Sequence, residues 1–303
     1  MSIEINDSNL SQYLSDEALN EIATHFSKGE FETITTSLLT EDIIKTVNDD
    51  ISKQIILSVY LYSLLKLKRV NEAKKIDTSF SPKNGLIFPF LFLKAKILIY
   101  CGDYKNAIEL LSDMKKRYDA YQSNDTKDVN DIIYIETNKS SFKYFSNVFV
   151  YLFGINNIDI KIKKIYFELS HLLSSLSFSV ESYSLIDQLY QKYPTDIVIL
   201  FSYAKMSILH SHSVNYTKAL TQMKKIKEDN STNPSMKSII ENYIDYSTSL
   251  ELLSKGEYEK AESSMLNIGG RLPNNAMLVN NIAVLDILSN KVDDGYNAML
   301  NVV

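Results

Sequence analysis

Apolar residues recur at spacings of three and four along most of this chain, which is the pattern of amphipathic helices. Two of these apolar runs are interrupted by nearly identical hexapeptides, Gly102 to Ala107 (GDYKNA) and Gly256 to Ala261 (GEYEKA). Each hexapeptide follows one apolar run and begins another, so it predicts a turn between two helices. The chain is therefore expected to contain helical hairpins that repeat.

Weaker copies of the hexapeptide emerge when the sequence is aligned on its final alanine. The seven aligned positions are Ile34, Ala73, Ala107, Ser182, Ala219, Ala261 and Gly295. Successive positions are 39, 34, 75, 37, 42 and 34 residues apart. Five of these six intervals fit one helix-turn-helix unit, and the long interval predicts one unit plus an insertion.

Small side chains recur at a second fixed offset, twelve residues before the aligned position. They are Ala95, Ser170, Ser207, Ser249 and Ala283, whereas the first two units carry Ile22 and Leu61 there. Helices approach closely where their side chains are small. The offsets match the tetratricopeptide pattern. We therefore predict an all-α, tetratricopeptide-like helical-hairpin solenoid of about seven units with one mid-chain insertion. The predicted repeat-packing residues are Ala73, Ala95, Ala107, Ser170, Ser182, Ser207, Ala219, Ser249, Ala261, Ala283 and Gly295.

The domain organisation follows from the same pattern. Residues 1–303 are expected to form a single tetratricopeptide-like α-solenoid. Residues 118–141 are polar and rich in Asp and Asn, which predicts a surface insertion loop. Residues 142–164 begin with an aromatic-rich stretch and are predicted to be an irregular segment that leads into the C-terminal repeats. Whether residues 142–153 form a helix or a strand stays open.

Composition narrows the class of protein. Eight Gly and five Pro in 303 residues are too few for a collagen-like chain or for an all-β protein rich in turns. The net charge of −5 gives no positive field for nucleic acid. A single cysteine, Cys101, excludes a disulfide framework and indicates a reducing compartment. The most apolar stretch contains Lys94 and Lys96, so we expect a cytoplasmic protein without a transmembrane segment.

Candidate catalytic and metal-binding residues are few. His210 and His212 are two residues apart, which would place their rings on different faces of a helix, so no zinc site is expected there. The carboxylate pair Asp293–Asp294 falls on a predicted exposed turn. Phosphate-binding glycine loops and the Gly-x-Ser-x-Gly and His-Glu-x-x-His motifs are absent from the sequence. We predict no catalytic residues, no cofactor and no metal, and hence no enzyme.

Three basic clusters lie near predicted helix ends, at residues 115–117, 161–164 and 224–227. Cations are favoured at helix C-termini, so the clusters are interpreted as solvated helix faces. A patch that faces a partner or a lipid surface stays open as the alternative.

A stack of helical hairpins offers an extended surface for other proteins, built from the first helix of each unit. The sequence stops inside the second helix of its last predicted unit, so we expect exposed apolar side chains there. Tyr296 and Met299 are predicted to be part of a partner-binding surface, together with Leu300, because an exposed apolar patch marks an interaction site.

Four stretches, in order along the chain, resemble the tetratricopeptide domain of the trafficking protein particle (TRAPP) complex subunit 12 family. They are Leu57 to Ala73, Phe88 to Leu110, Ile165 to Pro194 and Leu272 to Val284. The mid-chain insertion falls at the same place in the family. Asn280 and Asn281 match paired asparagines of the family, and we interpret them first as hydrogen-bonding partners between helices and second as partner-binding residues.

The resemblance implies a non-catalytic scaffold subunit of a TRAPP-type vesicle tether in transport from the endoplasmic reticulum to the Golgi. Its partners would be other TRAPP subunits and, indirectly, a Rab-family GTPase. The implied location is cytoplasmic, peripheral to membranes of the ER–Golgi intermediate or the Golgi. Two alternatives stay open: a tetratricopeptide subunit of another coat or membrane complex, and a chaperone-type adaptor. The adaptor would need a Lys/Asn/Arg cradle, which the sequence pattern does not reveal.

Overall fold

The structure, a computed structural model, describes residues 2–3, 14–47, 50–79, 87–123, 135–136, 157–272 and 275–300. Its contacts separate into two compact units, where the sequence predicted a single domain over residues 1–303. Unit 1 is Met1–Ser175 and unit 2 is Leu176–Val303. In both units, most of the described residues lie in α-helices.

Unit 1 contains eight α-helices among its described residues, together with one short parallel strand pair, β1 (Ser2–Ile3) and β2 (Ile135–Glu136), in which Ser2 lies opposite Ile135. A π-helical turn, Ile34–Leu38, continues the second helix. The helices are α1 (Asp16–Lys28), α2 (Phe31–Thr33), α3 (Glu41–Thr46), α4 (Asp50–Lys66), α5 (Val70–Ser79), α6 (Phe88–Tyr100), α7 (Tyr104–Gln122) and α8 (Ile158–Ser175).

Unit 2 contains seven α-helices in its described part. They are α9 (Ser179–Lys192), α10 (Ile197–Leu209), α11 (Ser213–Glu228), α12 (Pro234–Ser254), α13 (Tyr258–Arg271), α14 (Ala276–Leu288) and α15 (Val292–Leu300). Several of these helices begin at a polar side chain that accepts a hydrogen bond from the first turn. Asn233 accepts from the Met236 N–H at 2.8 Å, with Pro234 at the first helical position, and Asn275 accepts from the Leu278 N–H at 3.1 Å. Such caps satisfy otherwise unpaired N–H groups.

Consecutive helices pack as antiparallel hairpins within each unit. In unit 1 these are α4 with α5 and α6 with α7, and in unit 2 they are α10 with α11, α12 with α13 and α14 with α15. Each hairpin also contacts the next one along the chain, as α7 contacts α8, α11 contacts α12, and α13 contacts α14. The predicted all-α fold of tetratricopeptide-like helical hairpins is confirmed.

A residue in the left-handed conformation stands in each of six hairpin turns, and Ser177, in the segment after α8, has the same conformation. These residues are Gly29, Lys68, Gly102, Ser177, Ser211, Gly256 and Asn290, with φ between 57° and 76°. In the Gly102 turn the Gly102 N–H donates to the Ile99 carbonyl at 3.0 Å, and the following Asp103 N–H donates to the Leu98 carbonyl at 2.9 Å. This paired arrangement ends the first helix by satisfying its last carbonyls. The left-handed turn residue therefore recurs in every repeat, whereas the alanine at the aligned position does not.

One unit has a different spacing between its turn and its aligned residue. At six places the left-handed residue comes five positions before the aligned residue, but Ser211 comes five positions before Tyr216 and eight before Ala219. The spacing seen in the other units would point to Ala204 and Tyr216, and the predicted Ser207 and Ala219 lie three residues after them. All four side chains are buried, and residues three apart share a face of a helix.

The predicted repeat-packing residues are all buried, ten of them at 5% exposure or less and Gly295 also in the buried class. Gly295 shows why small residues are needed. A methyl group built on its Cα would stand 2.6 Å from the carbonyl oxygen of Ala283 and 2.8 Å from Cγ1 of Ile287. The backbones of α14 and α15 therefore touch where Ala283 and Gly295 face each other, at the two offsets that the sequence pattern predicted.

The first residues of the predicted insertion loop 118–141 are helical. Helix α7 continues to Gln122, because Tyr118 is fully buried and its ring packs edge-on against Phe88 at 5.6 Å. Likewise, residues 158–164 of the predicted irregular segment 142–164 form the first turns of α8. Except for β2, the rest of both segments up to residue 156 lies outside the described residues.

Substitutions in the turns test their backbone conformation. We expect Gly102→Ala to lower the free energy of unfolding by about 1–2 kcal/mol, because a left-handed L-residue is strained. The added Cβ would meet no atom within 4 Å, so the effect isolates the backbone. Lys68→Gly is the converse change and should stabilise the chain by about 0.5–1 kcal/mol. Urea unfolding followed by circular dichroism measures both, and equal effects of the same sign would contradict the assignment.

The contact at Gly295 is tested by a matched pair of glycines. We expect Gly295→Ala to destabilise unit 2 by about 1–3 kcal/mol, because the methyl group overlaps backbone atoms that cannot move aside. Gly270→Ala adds a methyl group that meets nothing within 4 Å near the end of α13. That control should be neutral or stabilise by up to about 1 kcal/mol through helix propensity. Thermal unfolding of both variants gives the comparison, and a tolerated Gly295→Ala would refute the close approach.

Candidate protein-interaction surface

The first helices of the three hairpins in unit 2 are joined by a row of aromatic and polar side chains. The ring of Phe201 on α10 stacks on Tyr243 of α12, with centroids 4.4 Å apart and an angle of 12° between the rings, and meets Tyr246 edge-on at 5.6 Å. Tyr246 then accepts a hydrogen bond from Nδ2 of Asn281 on α14 at 2.9 Å. Burial raises the pKa of the Tyr246 hydroxyl, so it stays protonated. The row places α10, α12 and α14 side by side.

Exposed apolar side chains flank this row at helical spacing. We call these residues, together with the row, the first-helix face. The exposed members are Val198 (49% exposed), Met236 (39%), Ile239 (44%), Val284 (40%) and Leu288 (46%). Ile239 lies one turn before Tyr243, and Val284 lies one turn after Asn281, so they share the sides of the helices that carry the row. Grouped exposed apolar residues are typical of a binding surface.

The structure separates the two asparagines that the sequence singled out. Asn281 is half-buried and engaged with Tyr246, as expected of a hydrogen bond between neighbouring helices. Asn280 is exposed on the first-helix face side of α14. On α15, Tyr296 is 60% exposed and Leu300 is 56% exposed, whereas Met299 is half-buried. A role for Asn280, Tyr296 and Met299 in partner binding stays a prediction.

The two histidines of the α10–α11 turn lie together, against expectation. The ring centroids of His210 and His212 are 6.1 Å apart and nearly parallel, and both rings pack on Tyr183 of α9 at 5.1 Å and 5.0 Å. The sequence analysis expected the two rings on different faces of a helix. Both residues instead belong to the turn, where Ser211 is left-handed. Asn215 donates a hydrogen bond to the Tyr183 hydroxyl at 2.7 Å. No group of three or more His, Cys, Asp or Glu side chains in the described part of the chain is placed to hold a metal ion.

Tyr183 belongs to a longer aromatic stack that connects α9 with α10. Tyr203 packs on Tyr190 with centroids 4.4 Å apart and on Tyr183 at 5.8 Å. Burial raises the pKa of the Tyr203 hydroxyl far above its ordinary value, helped by hydrogen bonds to Tyr183 and Asp187. Lys218 of α11 lies over the Tyr190 ring at 5.2 Å. These contacts join three helices, which indicates a structural role for the stack.

A pair of carboxyl groups is buried between α13 and α14. Glu262 belongs to α13 and Asp286 to α14, and each is 8% exposed. Lys291, next to the left-handed turn residue, donates to both oxygens of Glu262 at 2.7 and 2.8 Å. Burial, and then the negative charge of Glu262, raise the pKa of Asp286. The hydrogen bond to Glu262 raises the pKa of Lys291. The lysine thus holds a carboxylate pair that would otherwise repel.

Three members of the predicted basic clusters form ion pairs within the fold, and a fourth, Lys161, is buried. Lys115 pairs with Asp119 at 3.2 Å and Arg117 with Asp113 at 2.9 Å along α7. Lys227 of α11 reaches Glu241 of α12 at 2.8 Å. Lys161 is buried, with its nitrogen 5.7 Å from the centre of the Phe88 ring. The ion pairs fit the interpretation of these clusters as solvated helix faces, but the buried Lys161 does not.

Comparisons with known proteins give little beyond the fold. Neither the protein-family models nor the curated proteins contain a match to this chain. Among solved structures, it is similar to a tetratricopeptide repeat protein from Parabacteroides merdae, with 13% identity and a TM-score of 0.42 over 94% of this chain and 79% of that one. Within the described residues, no helix is long and apolar enough to cross a membrane. The assignment of helical-repeat architecture rests on the hairpins and turns described above.

The carboxyl pair yields a pH-dependent prediction. Because the pKa of Asp286 is higher in the folded chain than in the unfolded chain, its contribution to stability is lost as pH rises. At neutral pH the ionised Asp286 therefore opposes folding. We expect Asp286→Asn to raise the midpoint of thermal unfolding, by more near pH 7 than near about pH 4. Lys291→Met should lower it, because two buried carboxylates lose their cation. Calorimetry at both pH values checks the pair, and stabilisation that is independent of pH would contradict it.

Proposed function

We propose that this protein is a non-catalytic scaffold subunit that binds other proteins through the first-helix face of unit 2. The observation that carries the proposal is the group of exposed apolar side chains on three adjacent first helices. Monomeric proteins rarely expose such groups without a partner. Stacked helical hairpins are in general binding platforms. The buried Glu262 accepts two hydrogen bonds from Lys291, and this contact joins neighbouring elements of the fold, which favours a structural use over a catalytic one.

We further propose that the partners are other subunits of a TRAPP-type vesicle-tethering complex that acts between the endoplasmic reticulum and the Golgi. The support is the resemblance of four ordered stretches to the TRAPP subunit 12 family. On this proposal the protein acts on a Rab-family GTPase only indirectly, through the complex. It would be cytoplasmic and peripheral to membranes of the ER–Golgi intermediate or the Golgi.

Affinity purification followed by mass spectrometry tests this proposal. We expect the tagged wild-type chain to recover tether subunits. The double variant Val284→Glu and Leu288→Glu should lower their recovery by about tenfold or more, because charge in a buried interface centre removes a hot spot. Leu266→Glu is the matched control, since Leu266 is 51% exposed on the second helix α13. It should leave the recovery unchanged.

Circular dichroism of each variant separates lost binding from lost folding. Recovery of coat subunits or chaperones in place of tether subunits would overturn the TRAPP assignment and keep the scaffold role. Equal recovery by the double variant and the control would overturn the role of the first-helix face.

A further inference from the structure

In unit 1, the first helices α6 and α8 bring Lys96 and Lys164 near the carboxylate of Glu168. Lys96 of α6 donates a short hydrogen bond to Glu168 of α8. Its nitrogen also lies 5.7 Å from the centre of the Phe92 ring, one turn earlier on α6. Lys164 precedes Glu168 by one turn on α8 and so stands on the same side of that helix. The site therefore contains two cations and one anion.

Lys164 is the unusual member of this site. It is half-buried, and it forms no hydrogen bond or ion pair with any residue in the described part of the chain. Burial lowers the pKa of Lys164, the positive charge of Lys96 lowers it further, and Glu168 offsets this only in part. Burying a charged group without a partner is unfavourable, and a natural chain accepts that cost where the charge has a use.

Other cations of the chain show how the fold treats a lysine or arginine that serves structure alone. Lys115 and Arg117 each face a carboxylate one turn away on α7. Arg271 of α13 bonds to Asp245 of α12. Lys164 has no such carboxylate of its own, since Glu168 is taken by Lys96.

The surroundings favour a particular kind of anion. On α6, Phe92, Lys96 and Tyr100 follow one another at one-turn spacing, and Tyr100 is 62% exposed. On α8, the exposed His171 lies one turn beyond Glu168. An anion between Lys96 and Lys164 would thus lie near the Phe92 ring. A polypeptide that presents carboxylates beside apolar groups matches this combination.

We propose that Lys96 and Lys164 bind a carboxylate of an acidic segment in a partner protein, with Lys164 supplying a charge that no described residue pairs. The incoming carboxylate would accept hydrogen bonds from Lys164 and compete with Glu168 for Lys96. A lipid surface fits less well, because recognition of anionic lipids takes clusters of about 4–8 exposed basic residues, whereas this pair is partly buried. This site adds a ligand chemistry to the proposed scaffold role and lies in unit 1, apart from the first-helix face of unit 2.

The test uses the purified full chain and a fluorescein-labelled deca-glutamate peptide, with deca-glutamine as the uncharged reference. Fluorescence anisotropy should show binding of deca-glutamate alone, weakening as salt is raised. Lys164→Met should weaken binding about tenfold or more and should raise the midpoint of thermal unfolding, because it removes a charge that destabilises the fold. Lys105→Met, at an exposed lysine of α7, is the control and should change neither.

Glu168→Gln gives the opposite prediction and cannot be explained by misfolding. It removes the internal carboxylate, so it should strengthen binding of deca-glutamate about threefold or more. Unchanged affinity in both Lys164→Met and Glu168→Gln would overturn the proposal. A Lys164→Met variant that unfolds at a lower temperature than the wild-type chain would also overturn the proposal. Binding to vesicles containing phosphatidylserine that is lost in Lys164→Met, without binding of the peptide, would replace it with a lipid site. The peptide assay needs no tether subunit, so its failure and that of the cellular experiment are distinguishable.

Discussion

The fold depends on how closely the two helices of a hairpin can approach. At Gly295 and Ala283 the backbone of α15 lies against the carbonyl of α14, with no room for one methyl group. This approach is possible because both helices carry minimal side chains at the contact. The left-handed turn residue sets the phase of the second helix relative to the first, so the small residues meet. Turn and contact therefore act together, and neither would form the hairpin alone.

Large side chains are displaced to the contacts between hairpins and to the surface. Phe201, Tyr243 and Tyr246 bridge the first helices, and Tyr183, Tyr190 and Tyr203 join α9 to α10. Aromatic rings suit these wider gaps because each buries a large area and tolerates several packing angles. The first-helix face is a consequence of this division. The inner side of each first helix packs the hairpin, while its other side carries apolar residues that nothing in the described unit 2 covers.

Two clusters of charged side chains differ in their balance of acids and bases. Glu262, Asp286 and Lys291 form a closed cluster in which one cation stabilises two acids. The cluster formed by Lys96, Lys164 and Glu168 has the opposite balance, with one acid between two cations. In the first cluster, burial and the charge of Glu262 raise the pKa of Asp286. The second cluster is the one that we propose binds an anion.

The sequence by itself determined the helical hairpins, their turns and most of the buried small residues. These features depend on residues within one or two helical turns of each other, and short spacings such as those around Gly102 and Gly256 express them directly. Tertiary structure decided the contacts between residues that are far apart in the sequence. It extended α7 to Gln122 through the buried Tyr118, and it brought His210 and His212 onto Tyr183. It also joined Lys96 to Glu168 and Asn281 to Tyr246, because residues on different hairpins meet only when the hairpins stack.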